Sequence, residues 1–153
     1  MKIRKYKSPD CEEMAELFYD TVHAINAKDY TKTQLDVWAT GSVDLELWNN
    51  LFLEHITFVA EDNGLIVGFG DMSHKGYLDK LYVHKDYQSK GIANAIVDSL
   101  ESELLRRNIT TFTTFASITA KMFFDKKGYK IVRENIVVRG GVEMINYEMV
   151  KYG

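Results

Sequence analysis

Residues that build cross-linked, metal-bound or disordered proteins are scarce in this sequence. Its 153 residues include one cysteine, Cys11, and one proline, Pro9. A single cysteine excludes an internal disulfide and any site with several cysteine ligands. The four histidines and the scattered acids show no metal-ligand spacing, so no metal is expected. With so little proline and no Pro/Ser-rich tract, the sequence indicates neither a linker nor a disordered tail.

Long apolar runs and an excess of positive charge are also missing. No stretch reaches the roughly 18 consecutive apolar residues that a membrane span requires. The basic residues 1–7 lack the apolar segment of a signal peptide, so we expect a cytoplasmic protein. Lys and Arg number 19 against 22 Asp and Glu, which gives a net charge of −3. Binding to bulk nucleic acid needs a basic face and is therefore not expected.

The composition that remains is that of an ordinary folded domain, with 46% hydrophobic and 27% charged residues. The length suits one domain over residues 1–153. Helical and strand patterns alternate along it, which predicts a mixed α/β fold. In order, the patterns predict an edge strand at 2–7, a helix from 8 to 25, two short helices within 31–52, a hairpin of 55–60 with 65–70, a strand at 77–83, a helix after 91, a strand at 110–115, a helix at 117–127, and strands at 129–133 and 142–150.

The strand at 77–83 has an irregular apolar pattern. Leu81 and Val83 share one parity, whereas Leu78 lies on the other. A β-bulge near Asp79-Lys80 would place all three side chains on the same core.

The segment that follows has the pattern of an anion site. Residues 88–93 (Gln-Ser-Lys-Gly-Ile-Ala) form a loop with a glycine that runs into a helix. The first backbone N–H groups of a helix have no intrahelical acceptor, and the helix dipole adds positive charge there. Gly91 would allow a phosphate or diphosphate to approach this main chain closely. By itself the pattern is weak, because many helices begin after a glycine.

Residues 81–93 (Leu-Tyr-Val-His-Lys-Asp-Tyr-Gln-Ser-Lys-Gly-Ile-Ala) resemble the acetyl-coenzyme A (acetyl-CoA) signature of the GCN5-related N-acetyltransferases (GNAT). That signature is Q/R-x-x-G-x-G/A after a strand ending L-x-V. Residues 123–129 resemble the end of the family's late helix, and the order of elements agrees along essentially the whole chain. The resemblance implies a mixed, mostly antiparallel sheet that is splayed between two central strands and flanked by helices.

The resemblance also implies an activity, the transfer of an acetyl group from acetyl-CoA to a primary amine of a small molecule or peptide. The amine would attack the thioester directly, through a tetrahedral intermediate. The backbone N–H of Val83 would stabilise the oxyanion. The residues implied to bind the coenzyme are Leu81, Tyr82, Val83, Gln88, Ser89, Lys90, Gly91, Ile92, Ala93, Asn94, Ser117 and Phe124.

Two positions depart from the family pattern. Phe124 stands where many members have a tyrosine that protonates the leaving thiolate, and Ser117 replaces a frequent asparagine. The proton must then come from Ser117, from a tyrosine (Tyr82 or Tyr87) or from water. Phe124 is either a wall against the coenzyme or a core residue.

A general base is also required, because the acceptor must react as a neutral amine. Asp79, on the bulged strand, is the first candidate and Asp71 the second. A solvated or hydrogen-bonded carboxylate is an equally good account of either residue. An acceptor pocket could have aromatic walls from Tyr30, Trp38 and Trp48, with Asp36, Asp44 or Glu46 attracting a cationic amine. Core packing explains the aromatic residues equally well, and the acids could simply be solvated.

Three functions therefore remain for this sequence. An acetyl-CoA-dependent N-acetyltransferase is favoured; a non-catalytic acetyl-CoA-binding module and an unrelated α/β interaction domain are the alternatives. The expected partners are acetyl-CoA and an amine acceptor, with no nucleic acid and no membrane. The sequence does not decide between a monomer and a homodimer.

Overall fold

The computed structural model describes residues 1–153 and contains one seven-stranded sheet with helices on both faces. The sheet order is β1-β2-β3-β4-β5-β7-β6, and only β4 and β5 run parallel. No helix has the length and apolar character needed to cross a membrane. The strands are β1 (Lys2–Lys5), β2 (Ile56–Asp62), β3 (Leu65–Met72), β4 (Tyr77–Val83), β5 (Thr111–Ser117), β6 (Lys130–Arg139) and β7 (Val142–Tyr152). The helices are α1 (Cys11–Ala24), α2 (Lys32–Trp38), α3 (Leu45–Glu54), α4 (Ile92–Leu105) and α5 (Lys121–Lys126).

Two hydrophobic clusters lie on opposite faces of the sheet. Neighbouring residues of β3 alternate between them, with Ile66 in the cluster of α1–α3 and Val67 in the cluster of α4 and α5. The alternation follows from the two-residue repeat of a strand. Because helices cover both of its faces, β3 is buried along almost its whole length.

The predicted bulge is confirmed in β4. Asp71 of β3 pairs with Lys80 and the next residue pairs with Leu78, so Asp79 is the extra residue. Leu78 belongs to the α4 cluster, and Leu81 packs against the same cluster. The bulge therefore resolves the parity conflict in the sequence. It also places Asp79 at a point where the strand bends.

The predicted hairpin is confirmed as well. Asn63 and Gly64 connect β2 to β3 with positive φ angles of 49° and 81°. Asn-Gly is the dipeptide that tolerates this conformation best.

The helix predicted over 117–127 is shorter than expected. Its first part is wrong, because Ser117 is the last residue of β5, where it pairs with Asn146 of β7. The helix itself spans Lys121–Lys126. Pairing between the long strands β6 and β7 also extends both beyond the predicted ends. Cross-strand hydrogen bonding thus overrides the local helical pattern near Ser117.

Two glycines of β3 allow α4 to pack close to the sheet. A Cβ atom on Gly70 would lie 2.9 Å from Ile96 Cγ2 and 3.2 Å from the backbone oxygen of Lys80. A Cβ atom on Gly68 would lie 2.9 Å from Ile92 Cγ2. These glycines therefore serve helix packing.

We expect Gly70→Ala to lower the free energy of unfolding by about 1–3 kcal/mol, because the added methyl group over-packs the contact with α4. Urea denaturation measures this loss. Ile96→Ala removes the atom that the new methyl group meets, so the double variant should lose less than the sum of the two single variants. Strictly additive losses would show that Ile96 is not the source of the strain.

Candidate active site

A gap between β4 and β5 forms the site. The two strands pair only at Tyr77 with Thr113 and at Leu78 with Thr114, and beyond these pairs they separate. A cavity of about 520 Å³ occupies the gap. The separation from β5 begins after Leu78, at the bulge residue Asp79, where the register of β4 against β3 also shifts. The sheet is thus splayed where the family resemblance implied.

The predicted site residues converge on this cavity. Asp79 and all the predicted coenzyme-binding residues except Lys90 line it. The ammonium of Lys90 lies 5.6 Å from the ring centroid of Tyr87, which is itself part of the lining. The lining residues of β4 and of the loop before α4 are Leu81, Tyr82, Val83, Gln88, Ser89, Gly91, Ile92, Ala93 and Asn94.

The edge of β4 presents main-chain groups to the gap. The N–H of His84 donates to Val67 of β3, and antiparallel pairing alternates, so the N–H groups of Val83 and Leu81 face away from β3. The carbonyl oxygen of Val83 accepts hydrogen bonds from Thr21 Oγ1 at 3.0 Å and Gln88 Nε2 at 2.8 Å. These two bonds hold the end of β4 in place.

The loop before α4 carries a run of unpaired amides. No backbone N–H from Gln88 to Asn94 donates to an acceptor within the chain, and the first helical bond runs from Ala95 to Gly91. Ser89 and Gly91 have positive φ angles of 60° and 79°. A Cβ atom on Gly91 would meet nothing within 4 Å. The loop is therefore an open cradle of N–H groups at a helix N-terminus, suited to an anion.

Positive side chains lie beside this cradle. Lys126, the last residue of α5, and Lys127, which follows it, line the same cavity, and Lys127 forms an ion pair with Asp98 of α4. Their position at the cavity depends on how α5 packs against α4, which no local pattern reveals.

The two candidate bases have different surroundings. Asp71 is completely buried; its Oδ1 accepts from the N–H of Lys80 at 2.9 Å, and its Oδ2 lies 2.8 Å from His55 Nδ1. The side chain of Asp79 is 30% exposed, lines the cavity and pairs with Lys80 Nζ at 2.8 Å. Asp71 therefore holds the bulge, whereas Asp79 is accessible from the cavity.

Burial raises the pKa of Asp71, and the hydrogen bond with His55 opposes this rise. The same hydrogen bond raises the pKa of His55. His55 lines a different pocket, beside Thr57 and His74. Asp71 and its histidine partner thus lie between the cavity and a second opening. His55 was not singled out from the sequence, because its partner is 16 residues away on another strand.

The candidate proton donors also differ. Ser117 Oγ accepts from the N–H of Ala120 at 3.1 Å, which leaves its own hydroxyl proton free. Burial raises the pKa of Tyr82, so its phenol stays protonated at neutral pH. Phe124 is 3% exposed, packs against Tyr129 and also lines the cavity. It is therefore both a core residue and a wall of the site.

Of the three aromatic residues considered for an acceptor pocket, only Trp38 lines the cavity. Tyr30 is a structural residue whose hydroxyl donates to the carbonyl of Ile145 at 2.7 Å. Trp48 packs against Phe18 in the α1–α3 cluster. The acids considered there lie elsewhere: Asp36 pairs with Lys32, Asp44 caps α3, and Glu46 is exposed.

Side chains from the end of α1 complete the cavity, and sequence analysis missed them. Thr21, Ile25 and Asn26 line it on the face opposite α4. Thr21 and Asn26 are buried polar residues. Their only signal in the sequence is a polar residue on an apolar helix stripe, which does not identify a function.

Comparisons with known proteins agree with this geometry. The family model "Acetyltransferase (GNAT) domain" matches residues 26–151. A protein of Escherichia coli strain K12 named "Uncharacterized N-acetyltransferase YafP" is 31% identical, over 97% of this chain and 94% of its own length.

Solved structures give the same result. A GCN5-related N-acetyltransferase from Rhodopseudomonas palustris superposes with a TM-score of 0.94 at 29% identity, over 99% of this chain and 95% of that one. The PaiA N-acetyltransferase from Thermoplasma acidophilum, solved in complex with coenzyme A, has a TM-score of 0.83 at 18% identity, over 99% and 98% of the two chains. At that identity the likeness shows the fold.

The pairing of His55 with Asp71 predicts a pH dependence. The hydrogen bond to Asp71 raises the pKa of His55 in the folded state. The stabilisation that protonated His55 gives to the folded protein is therefore complete below about pH 6.5. It is lost as the pH rises through the raised pKa. The stability difference between the wild type and His55→Gln should therefore be larger at about pH 5.5 than at about pH 9.

Asp71→Asn gives a second measurement of the same pair. Removing the carboxylate should lower the pKa of His55, read from an NMR titration of its ring protons. An unchanged pKa in Asp71→Asn, or a stability difference that grows at alkaline pH, would contradict the assignment.

Proposed function

This chain belongs to the GNAT acetyltransferases, and from that premise we propose that it is an N-acetyltransferase using acetyl-CoA as co-substrate. The acceptor is a primary amine of a small molecule or peptide. The observation that carries the proposal is the run of unpaired backbone N–H groups from Gln88 to Asn94, which opens into the gap between β4 and β5. We further propose that residues 1–153 work as one acyl-CoA-binding domain.

The cradle fits the diphosphate of the coenzyme. Main-chain N–H groups and the positive end of the α4 dipole favour a doubly charged anion, and Lys126 lines the same cavity. Lys90 adds positive charge outside the lining. Gly91 leaves open space above its Cα, so an anion reaches the amides without meeting a side chain.

The gap itself suits the pantetheine arm. An extended chain between β4 and β5 adds to the free edge of β4 by hydrogen bonding to the backbone of Leu81 and Val83. The N–H of Val83 then faces the thioester carbonyl and stabilises the developing oxyanion. Pairing with β3 holds Tyr82 and Val83, and Thr21 and Gln88 hold the carbonyl of the next peptide group, so the backbone on both sides of this N–H is fixed before the reaction. Leu81, Tyr82, Ile92, Ala93 and Phe124 form the surrounding walls.

Asp79 is the proposed general base. It removes a proton from the acceptor ammonium, directly or through water, and the neutral amine attacks the thioester carbon. A C–N bond forms, the C–S bond breaks, and the second proton of the amine passes to the departing thiolate. The hydroxyl of Ser117 relays this proton, giving its own to the sulfur while it receives that of the amine, with Tyr82 or water as the alternative relay. Asp71 is less suited to this role, because both of its oxygens already have partners.

Gly91→Ala should weaken acetyl-CoA binding by about tenfold or more, because alanine is strained by about 1–2 kcal/mol at this positive φ and the loop must change shape. Gly64→Ala is the matched control. Its φ is +81°, its Cβ would also meet nothing within 4 Å, and it lies in the β2–β3 turn.

Calorimetric titration with acetyl-CoA measures both affinities. Thermal unfolding checks them, since ligand at a hundredfold excess over Kd adds about 2.7 kcal/mol of stability. Equal affinity losses in the two variants, or no binding by the wild type, would contradict the proposed cradle.

Asp79→Asn should lower the rate of thiol release by about 10²-fold or more, with unchanged acetyl-CoA affinity, because it removes the base and leaves the cradle intact. Asp62→Asn is the control. Asp62 is the last residue of β2, and its carboxylate pairs with the N-terminal amine of Met1. Its side chain is 33% exposed, against 30% for Asp79. An unchanged rate in Asp79→Asn would exclude Asp79 as the base. Tight binding of acetyl-CoA with no release of coenzyme A thiol in the presence of any amine would favour the non-catalytic binding module.

A further inference from the structure

Asn26 is a buried polar residue that the proposed chemistry does not use. Six polar or charged side chains are buried in the protein: Thr21, Asn26, Thr57, Asp71, Glu101 and Thr114. Five of them form side-chain hydrogen bonds within the chain. The side-chain amide of Asn26 forms none, although the residue is only 6% exposed.

The amide of Asn26 faces the cavity. The residue lines it, and no fully enclosed side-chain nitrogen or oxygen lacks a partner in the protein. The polar atoms of Asn26 are therefore accessible from the cavity. A ligand in the cavity can therefore supply the hydrogen bonds that this amide lacks within the chain.

The position of Asn26 indicates which ligand it meets. It begins the turn after α1, which spans the gap. At one side Thr21 of α1 bonds to β4; at the other, Asp29 accepts from Thr119 at 2.8 Å and Tyr30 accepts from the N–H of Ile118 at 2.9 Å. The turn thus covers the gap on the face opposite α4.

The two faces of the gap divide between the two substrates. The unpaired backbone N–H groups lie at the N-terminus of α4, so the coenzyme enters from the α4 face and extends along β4. The acceptor must reach the thioester from the remaining face, which Asn26, Trp38 and Tyr82 line.

The charges of the lining restrict the acceptor. The charged residues of the cavity are Asp79, Lys126 and Lys127, and both lysines lie at the C-terminal end of α5, on the α4 side. No cation lines the cavity on the α1 face; Lys80, just outside the lining, pairs with Asp79 at 2.8 Å, and the guanidinium of Arg139 lies 5.9 Å from the ring centroid of Trp38. A carboxylate next to the acceptor amine would therefore have to compete with Asp79 for Lys80 or draw Arg139 away from Trp38. A neutral group that both donates and accepts hydrogen bonds matches the amide of Asn26.

Resting on the proposed transferase function, we propose that Asn26 binds a neutral amide group adjacent to the acceptor amine. The preferred acceptors are then amines of the amino-acid amide or peptide N-terminus class, in preference to free amino acids.

A series of three related amines tests this proposal: L-phenylalaninamide, 2-phenylethylamine, which lacks the amide, and L-phenylalanine, which carries a carboxylate in its place. For the wild type we expect kcat/KM to be about tenfold higher for the amide than for phenylethylamine, and lowest for phenylalanine. Asn26→Ala should remove most of this preference and change the phenylethylamine rate less than twofold. Asn49→Ala, which removes an amide bonded to Tyr6, is the control and should keep the preference.

A binding measurement keeps the test independent of turnover. The side-chain NH₂ signals of Asn26, identified by their loss in Asn26→Ala, should shift when L-phenylalaninamide is added to the coenzyme A-loaded protein, and not with L-phenylalanine. Signals that move with coenzyme A alone would assign Asn26 to the pantetheine arm and overturn the proposal, as would equal shifts with both amines or no shift. Absence of thiol release, with coenzyme A still bound, would instead contradict the transferase function.

Discussion

The parting of β4 from β5 is the constraint on which the site depends. Two residue pairs join β4 to β5, and the strands part at Asp79, the bulge residue where the register of β4 against β3 shifts. The separation leaves a strand edge with free main-chain groups inside the protein, where an unpaired amide is costly. A ligand that is itself an extended chain of amides satisfies such an edge. The cavity, the free amides of β4 and the proposed base all lie beside this bulge.

The charges around the gap are separated by face. The unpaired amides at the head of α4, together with Lys126, make one end positive, whereas Asp79 supplies negative charge near the bulge. A diphosphate and an ammonium group are therefore attracted to different ends of the same cavity. Asp71, hydrogen-bonded to His55, accepts from the N–H of Lys80 next to the bulge, so the proposed base Asp79 belongs to a part of the sheet that is held in place.

Much of the fold could be predicted because its signals are local. The parity of Leu78 and Leu81 predicted the bulge, and Asn63-Gly64 predicted the turn between β2 and β3. The helix predicted from Ser117 failed at its start, because pairing with β7 extends β5 and outweighs the local preference. The loop proposed to bind the coenzyme could be picked out for the same reason as the turn, since its residues are consecutive.

The sequence by itself determined the order of elements, the bulge and the anion cradle, because each depends on residues within one or two turns of chain. Only the tertiary structure decided which side chains face the cavity from the other elements. Asp29 and Thr119 are 90 residues apart, yet their hydrogen bond helps to place Asn26 over the gap. Asp71 and His55 likewise meet only when two strands pair. No periodicity of 2 or 3.6 residues records such contacts, because they arise from packing between elements.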